Sequence, residues 1–114
     1  MKPIIFTDQW GDKVKVIFYK DNYLDNNRIF IGCMCENEEY GGYDPYCDVT
    51  VNIAHNIPDG NYGFLDVDNG DPVLFQLMEN RNWIEYTGRF EPSGFGIYPL
   101  VKFSDLFLKM IETD

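Results

Sequence analysis

Between Arg28 and Arg81 the chain has neither lysine nor arginine. Its nine basic residues are Lys2, Lys13, Lys15, Lys20, Arg28, Arg81, Arg89, Lys102 and Lys109. The interval they leave holds ten acids: Glu36, Glu38, Glu39, Asp44, Asp48, Asp59, Asp66, Asp68, Asp71 and Glu79. The nine acids elsewhere balance the nine bases, so the formal net charge of −10 arises wholly within this interval. Phosphate backbones are held by Lys and Arg, and a chain this short of both is not expected to bind nucleic acid directly. A segregated charge of this kind has two readings. It is a solvated surface that keeps the protein dispersed, or it is an electronegative face that meets a basic partner.

Long apolar runs are absent as well. Runs such as Val16-Ile17-Phe18-Tyr19 and Ile29-Phe30-Ile31 fall far short of the about 20 residues that cross a bilayer as a helix. The first residues, Met1-Lys2-Pro3-Ile4-Ile5-Phe6, break at Thr7-Asp8-Gln9 and lack the apolar stretch and small-residue site of a secretory leader. No membrane partner is expected, and the expected compartment is the cytoplasm. Three cysteines, Cys33, Cys35 and Cys47, are an odd count that argues against a disulfide framework and fits a reducing compartment. Cys33 and Cys35 lie two apart in a strand-like run and share a face, where small thiols fill space. The competing reading is a zinc site completed by Cys47 and His55. The Cys-x-Cys spacing is tight for paired zinc ligands and the other two are scattered, so no metal is expected.

Signatures of catalysis are equally scarce. The single histidine, His55, follows Ala54 at the end of a strand-like run. There is no Gly-x-Ser-x-Gly elbow, because Pro92 precedes Ser93-Gly94 in an ordinary turn. The glycines form neither a phosphate-binding loop nor a dinucleotide fingerprint. Cys47 has no evident activating base. Asp66-Val67-Asp68-Asn69-Gly70-Asp71 invites comparison with a calcium-binding loop. Counted from Asp66, however, position five is Gly70, six is Asp71 and twelve is Leu77, where that loop wants a ligand, a glycine and a glutamate. The segment reads as a polar turn that ends in a helix cap. We therefore expect no enzyme, no catalytic residue and no cofactor.

What is present is material for one folded domain over residues 1–114. Apolar residues make up 45% and aromatics 17%, ample for a core and unlike a disordered chain. Lys13–Lys20 alternates and is rich in β-branched and aromatic residues, as a strand should be. Residues 3–6 form a short partner strand across a turn at Trp10-Gly11-Asp12. Asp21–Asn27 is a turn leading to a strand over Arg28–Cys35, and the two strands make a hairpin. Glu36–Tyr46 reads as a loop, with three acids, Gly41-Gly42 and three tyrosines. Cys47–Ile53 alternates, placing Cys47, Val49, Val51 and Ile53 on one face and Asp48, Thr50 and Asn52 on the other. Pro58-Asp59-Gly60-Asn61 is a turn, followed by a short strand over 64–68.

Asp71-Pro72 opens a helix expected over 72–81, with Asp71 capping free N–H groups and Pro72 at the first position, where no N–H is needed. Strands follow over 83–89 and 95–101, joined at Glu91-Pro92-Ser93-Gly94. Ser104 caps a last helix over 104–112 whose apolar face is Leu106, Phe107, Met110 and Ile111. The expected class is α+β, a mainly antiparallel sheet with two short helices packed on it.

Four stretches stand out: Pro45-Tyr46-x-Asp48-x-Thr50-Val51-Asn52-Ile53, Asp66-x-Asp68-Asn69-Gly70, Thr87-Gly88-Arg89 and Ser93-Gly94-Phe95-x-x-Tyr98-Pro99-Leu100. Over roughly residues 43–103 the chain resembles a family of small, uncharacterised proteins carried on bacterial mobile elements and phages. The resemblance implies a bacterial or phage origin and a cytosolic setting, and brings no activity or functional residue with it.

Two sets of residues are candidates for function. The first is the segment from Glu36 to Asp48, where Glu36, Glu38, Glu39, Asp44 and Asp48 accompany Tyr40, Tyr43 and Tyr46 beside a pair of glycines. Carboxylates steer a basic partner, and tyrosine offers amphipathic contact at low entropic cost. The expected function is a non-enzymatic acidic protein that binds a basic protein surface, in one form as a DNA mimic or an inhibitor of host defence. The second set is Asn52, Thr87, Arg89 and Tyr98. With Thr50, Asn69 and Ser93 these either form a buried hydrogen-bond network or line a small-molecule cleft.

Overall fold

The computed structural model describes residues 1–112. The expected class holds: mainly antiparallel β structure with two short helices. The strands fall into two sheets rather than one. Four consecutive strands, β1 (Ile4–Thr7), β2 (Lys13–Asn22), β3 (Ile29–Glu36) and β4 (Tyr43–Asp48), form an up-and-down meander, sheet A. Sheet B is ordered β5-β6-β8-β7, from β5 (Thr50–Val51), β6 (Tyr62–Leu65), β7 (Ile84–Ser93) and β8 (Gly96–Phe103). Helix α1 (Pro72–Asn80) precedes β7, and α2 (Asp105–Glu112) follows β8.

The β2–β3 hairpin forms where the alternation places it, paired from Val16↔Cys35 to Asn22↔Ile29. Val16 and Phe18 turn inward with Ile29, Ile31 and Cys33. On the outer face the Tyr19 ring lies over its cross-strand partner Gly32, where a Cβ would come within 2.3 Å of it. β1 pairs with β2 as expected. The Phe6 and Tyr46 rings, from the two edge strands, meet edge-on at 6.1 Å, so sheet A curls until its edges face one another.

Several expectations need correction. Residues 43–46 are not loop but the start of β4, and the true turn is 37–42. Pairing with β3 overrides the polar local sequence. A register shift accommodates it: Cys33 faces Cys47 and Met34 faces Pro45, leaving Tyr46 as the extra residue of a β-bulge.

The expected single strand over Cys47–Ile53 is also two strands. The Val49 N–H donates to the Ile31 carbonyl at 2.9 Å, and the Val49 carbonyl accepts from the Asp66 N–H at 2.9 Å. Val49 is thus the point at which the chain leaves sheet A for sheet B. Thr50, expected on the polar face, is buried. Its hydroxyl accepts from the Ile31 N–H at 3.1 Å and shares a hydrogen bond with the Tyr23 hydroxyl at 3.0 Å.

The last hairpin turns at Gly94–Phe95 rather than over 91–94, because Ser93 pairs with Gly96. Gly94 takes φ +58°, a conformation that suits glycine. Pro92 is tolerated because β7 is an edge strand. Beyond β6 this hairpin projects with Phe90, Phe95 and Ile97 exposed, an apolar surface unremarked in the sequence.

Both helix caps form as read. The Asp71 carboxylate accepts from the Val73 N–H at 2.8 Å, and the Ser104 hydroxyl accepts from the Phe107 N–H at 3.1 Å. The buried face of α2 is Phe107, Leu108 and Ile111, whereas Leu106 points outward. The core lies where the inner faces of both sheets meet the two helices. Phe107 stands at its centre, stacked on Trp83 at 5.3 Å and Phe103 at 6.0 Å and edge-on to Phe18 at 5.3 Å. Burial of each such ring stabilises the fold by about 1.5–3 kcal/mol. A smaller cluster of Ile53, Phe64 and Leu100 lies apart from this core, with Val51, Ile57, Tyr62 and Tyr98 packed around it.

Candidate interaction surface

In an up-and-down meander the first and third turns share one end. The register fixes that end here: Thr7 opposes Lys13 on β1–β2, and Cys35 opposes Val16 on β2–β3 and Asp44 on β3–β4. The turn 8–12 and the turn 37–42 therefore stand side by side. Ile5, Lys13 and Lys15 from β1 and β2 share an open cleft of about 440 Å³ with Cys35, Glu36 and Glu38 from β3 and its turn.

Each turn is built by its own polar side chains. Asp8 accepts from the Trp10 and Asp12 N–H groups at 2.9 Å each, and Gly11 supplies the positive φ of +86° that closes the turn. Trp10 is left 75% exposed. Asn37 accepts from the Glu39 N–H at 3.0 Å and the Tyr40 N–H at 3.3 Å, and its amide donates to Asp44 at 2.8 Å. Tyr40, at the tip, is 83% exposed. The end of sheet A thus gathers Asp8, Asp12, Glu36, Glu38, Glu39 and Asp44 around Trp10, Tyr40 and Tyr43. Lys13 and Lys15 are the bases beside them, and Lys15 is bound to Glu36 at 3.1 Å.

Six of the eight residues singled out for partner binding, Glu36, Glu38, Glu39, Tyr40, Tyr43 and Asp44, lie at this end. Two do not. Tyr46 is half-buried against Phe6, and its hydroxyl donates a short hydrogen bond to Asp71. Burial first, and then that bond to Asp71, push its hydroxyl well above the usual range. Asp48 lies near the other end of β4, opposite Gly32. It helps to raise the Tyr19 hydroxyl, for which burial is the larger cause. Conversely Trp10, Asp8 and Asp12 were missed, because they fall outside the base-free interval. The signal that would have found them is topological, since turns one and three of a meander are neighbours.

The other acids of the interval are dispersed. Asp66 and Asp71 are buried. Asp66 accepts from the Asn69 N–H at 3.2 Å, and Asp71 is the helix cap, so the 66–71 segment is the polar turn anticipated. Asp68 accepts from the Tyr98 hydroxyl at 2.8 Å. Asp59 sits before β6 and Glu79 near the end of α1.

The second candidate set occupies three separate places. Asn52 donates to Asp25 and accepts from Asn26, both at 2.9 Å, stitching the 52–61 loop to the β2–β3 turn. Thr87 donates to the Leu100 carbonyl at 2.9 Å within the irregular stretch of β7. Arg89 binds Glu91 at 2.8 Å with its guanidinium over Phe64, while Tyr98 is held by Asp68. The cavity beside Asn52 is about 10 Å³ and is reached by neither Thr87, Arg89 nor Tyr98, which leaves room for about one water molecule. His55 stands 3.7 Å from Glu91. The Glu91 carboxyl is held below its usual range, by the Arg89 hydrogen bond above all.

No curated protein and no solved structure matches the chain. One family does, described as a domain of unknown function (DUF4313), over residues 18–113. That span exceeds the resembling stretch of 43–103 and takes in β2 from Phe18 onward, the whole of β3 and all of α2. The chain is a member of the DUF4313 family.

Proposed function

We propose that this chain is a non-enzymatic interaction domain whose acidic, aromatic end of sheet A receives a basic protein surface. The observation that carries the reading is the juxtaposition of two turns that, with the strand ends beside them, present six carboxylates around the exposed rings of Trp10 and Tyr40. Carboxylates at this density raise the encounter rate with a cationic patch, and the aromatic rings supply contact area once the partner has docked. A compact cluster suits a patch of lysines and arginines on a folded protein. It suits the groove of a DNA-binding enzyme less well, because duplex DNA offers a charge about every 1.7 Å in ordered rows. The resemblance to proteins of mobile elements and phages supports a bacterial cytoplasmic setting, with a host protein such as a defence factor as the partner.

The test is affinity capture from a bacterial lysate, with the protein bound at low salt and eluted at high salt. Glu38→Gln/Glu39→Gln/Tyr40→Ser alters exposed tip residues and leaves the Asn37 turn in place. Capture by this variant should fall roughly tenfold, and the wild-type complex should weaken as salt screens the charges. A partner held equally well by the variant, or one indifferent to salt, would overturn the reading.

A further inference from the structure

Cys33 on β3 and Cys47 on β4 are direct cross-strand partners. Opposed residues of an antiparallel pair lie about 4.5–5.5 Å apart at Cα, inside the roughly 4.4–6.8 Å span of disulfide-bonded residues. As cross-strand partners the two side chains lie on the same face of the sheet, one beside the other. Cys33 is buried and Cys47 half-buried. Cys35, two residues along β3, faces Asp44 instead and has no thiol opposite it.

We propose that Cys47 and Cys33 form a nucleophile–resolver pair that a hydroperoxide converts into a cross-strand disulfide. The Cys47 sulfur attacks one peroxide oxygen, the O–O bond breaks, and hydroxide leaves, giving a sulfenic acid. The Cys33 sulfur then attacks the Cys47 sulfur, the S–O bond breaks, and the oxygen departs as water with the Cys33 proton. Two thiols lose two electrons, and one hydrogen peroxide becomes two waters. The roles follow from surroundings. Cys47 is the more accessible of the two, and Cys33 beside it holds the Cys47 thiol below its usual range against the cost of burial. The Cys33 thiol is held protonated by Cys47 beside it and by burial.

The experiment exposes the full reduced chain to hydrogen peroxide, alkylates it and weighs it. Free thiols should fall from three to one. Trypsin leaves all three cysteines on one fragment, because no Lys or Arg lies between Arg28 and Arg81. Cleavage after glutamate at Glu36, Glu38 and Glu39 separates Cys33 and Cys35 from Cys47, and tandem mass spectrometry of the linked fragment, broken at Met34, shows which of the two carries the link. Cys35→Ser should oxidise like the wild type. Cys33→Ser should halt at a Cys47 sulfenic acid that a cyclic diketone traps. Three alkylatable thiols after oxidation, a link through Cys35, or trapping at Cys35 in place of Cys47 would each overturn the proposal. The wild-type map decides the matter even where a serine variant folds poorly.

Discussion

Asp71 joins β4 to the start of α1, and replacing it tests that joint. One carboxylate oxygen accepts from the Val73 N–H at 2.8 Å and, more weakly, from the Leu74 N–H at 3.4 Å, while the other accepts from the Tyr46 hydroxyl. Asp71→Ala removes a helix cap, which costs about 1 kcal/mol. It also leaves the half-buried Tyr46 hydroxyl without its acceptor, a further 1–2 kcal/mol or so. The expected total is about 2–3 kcal/mol, a large share of the roughly 5–15 kcal/mol that holds a domain folded. Tyr46→Phe keeps the cap and should cost about 1–2 kcal/mol. The double variant has no orphaned hydroxyl, so it should fall short of the sum of the two single losses by about 1 kcal/mol. Asp71→Asn retains a capping oxygen and should stay close to the wild type.

Urea unfolding followed by far-ultraviolet circular dichroism gives all four stabilities. Losses that add to within about 0.5 kcal/mol, or a cost below that for Asp71→Ala, would refute the coupling. The same pair has a signature in alkali. Burial and Asp71 hold the Tyr46 hydroxyl protonated well above its unfolded value of about 10. Below that pH the contribution is complete. Above it the unfolded chain releases the proton first, and stability falls as pH rises. Tyr46→Phe should therefore lose stability less steeply above pH 10 than the wild type. Tyr19, Tyr23 and Tyr86, raised chiefly by burial, keep part of the slope in both.

Two further substitutions test the core and the passage between sheets. Phe107→Ala removes a fully buried ring that touches Trp83, Phe103 and Phe18, and should cost about 3–5 kcal/mol in urea unfolding. In a Trp10→Phe background the remaining indole, Trp83, should also shift its emission to the red, and a cost under about 1 kcal/mol would contradict the central place given to this ring. Thr50→Val keeps the shape but takes the hydroxyl acceptor from the buried Ile31 N–H, so a loss of about 1–3 kcal/mol is expected, whereas Thr50→Ser should cost under about 1 kcal/mol. Equal costs for Val and Ser would mean that the methyl group, not the hydroxyl, matters at this position.

The legible parts of the fold are those where local chemistry and tertiary pairing agree. Lys13–Lys20 alternates because one face of β2 is buried, and Asp71-Pro72 and Ser104 cap helices through their own side chains. The parts that escaped are decided by contacts made far away in sequence. Tyr43–Asp48 has two acids, a proline and only three apolar side chains, and it becomes a strand because β3 offers an unpaired edge and a bulge absorbs the extra residue. Thr50 follows the alternation of a half-exposed strand, yet it is buried because the chain changes sheets one residue earlier. Periodicity cannot report such a change, since Val49 satisfies the same pattern whether its carbonyl bonds to sheet A or to sheet B. The candidate surface was legible in part for the same reason. Glu36 to Asp44 was visible as a run, whereas Trp10 joins it only through the meander.

Charge counted along the chain and charge met by a partner are different quantities here. The base-free interval accounts for the whole of −10, yet two of its acids are buried and four others, Asp48, Asp59, Asp68 and Glu79, are spread over different elements. The molecule is 41 Å long, and at physiological salt a charge is screened within about 8 Å. A partner docked on the end of sheet A therefore responds to the carboxylates beside it, not to the net charge. Those include Asp8 and Asp12, which lie outside the interval, and they are opposed by Lys13 and Lys15, which do too. Removing charge at Glu38 and Glu39 should therefore weaken capture far more than the same change at Asp59 and Glu79, although both pairs alter the net charge equally. Equal losses from the two pairs would make the total charge, and not the surface, the thing recognised.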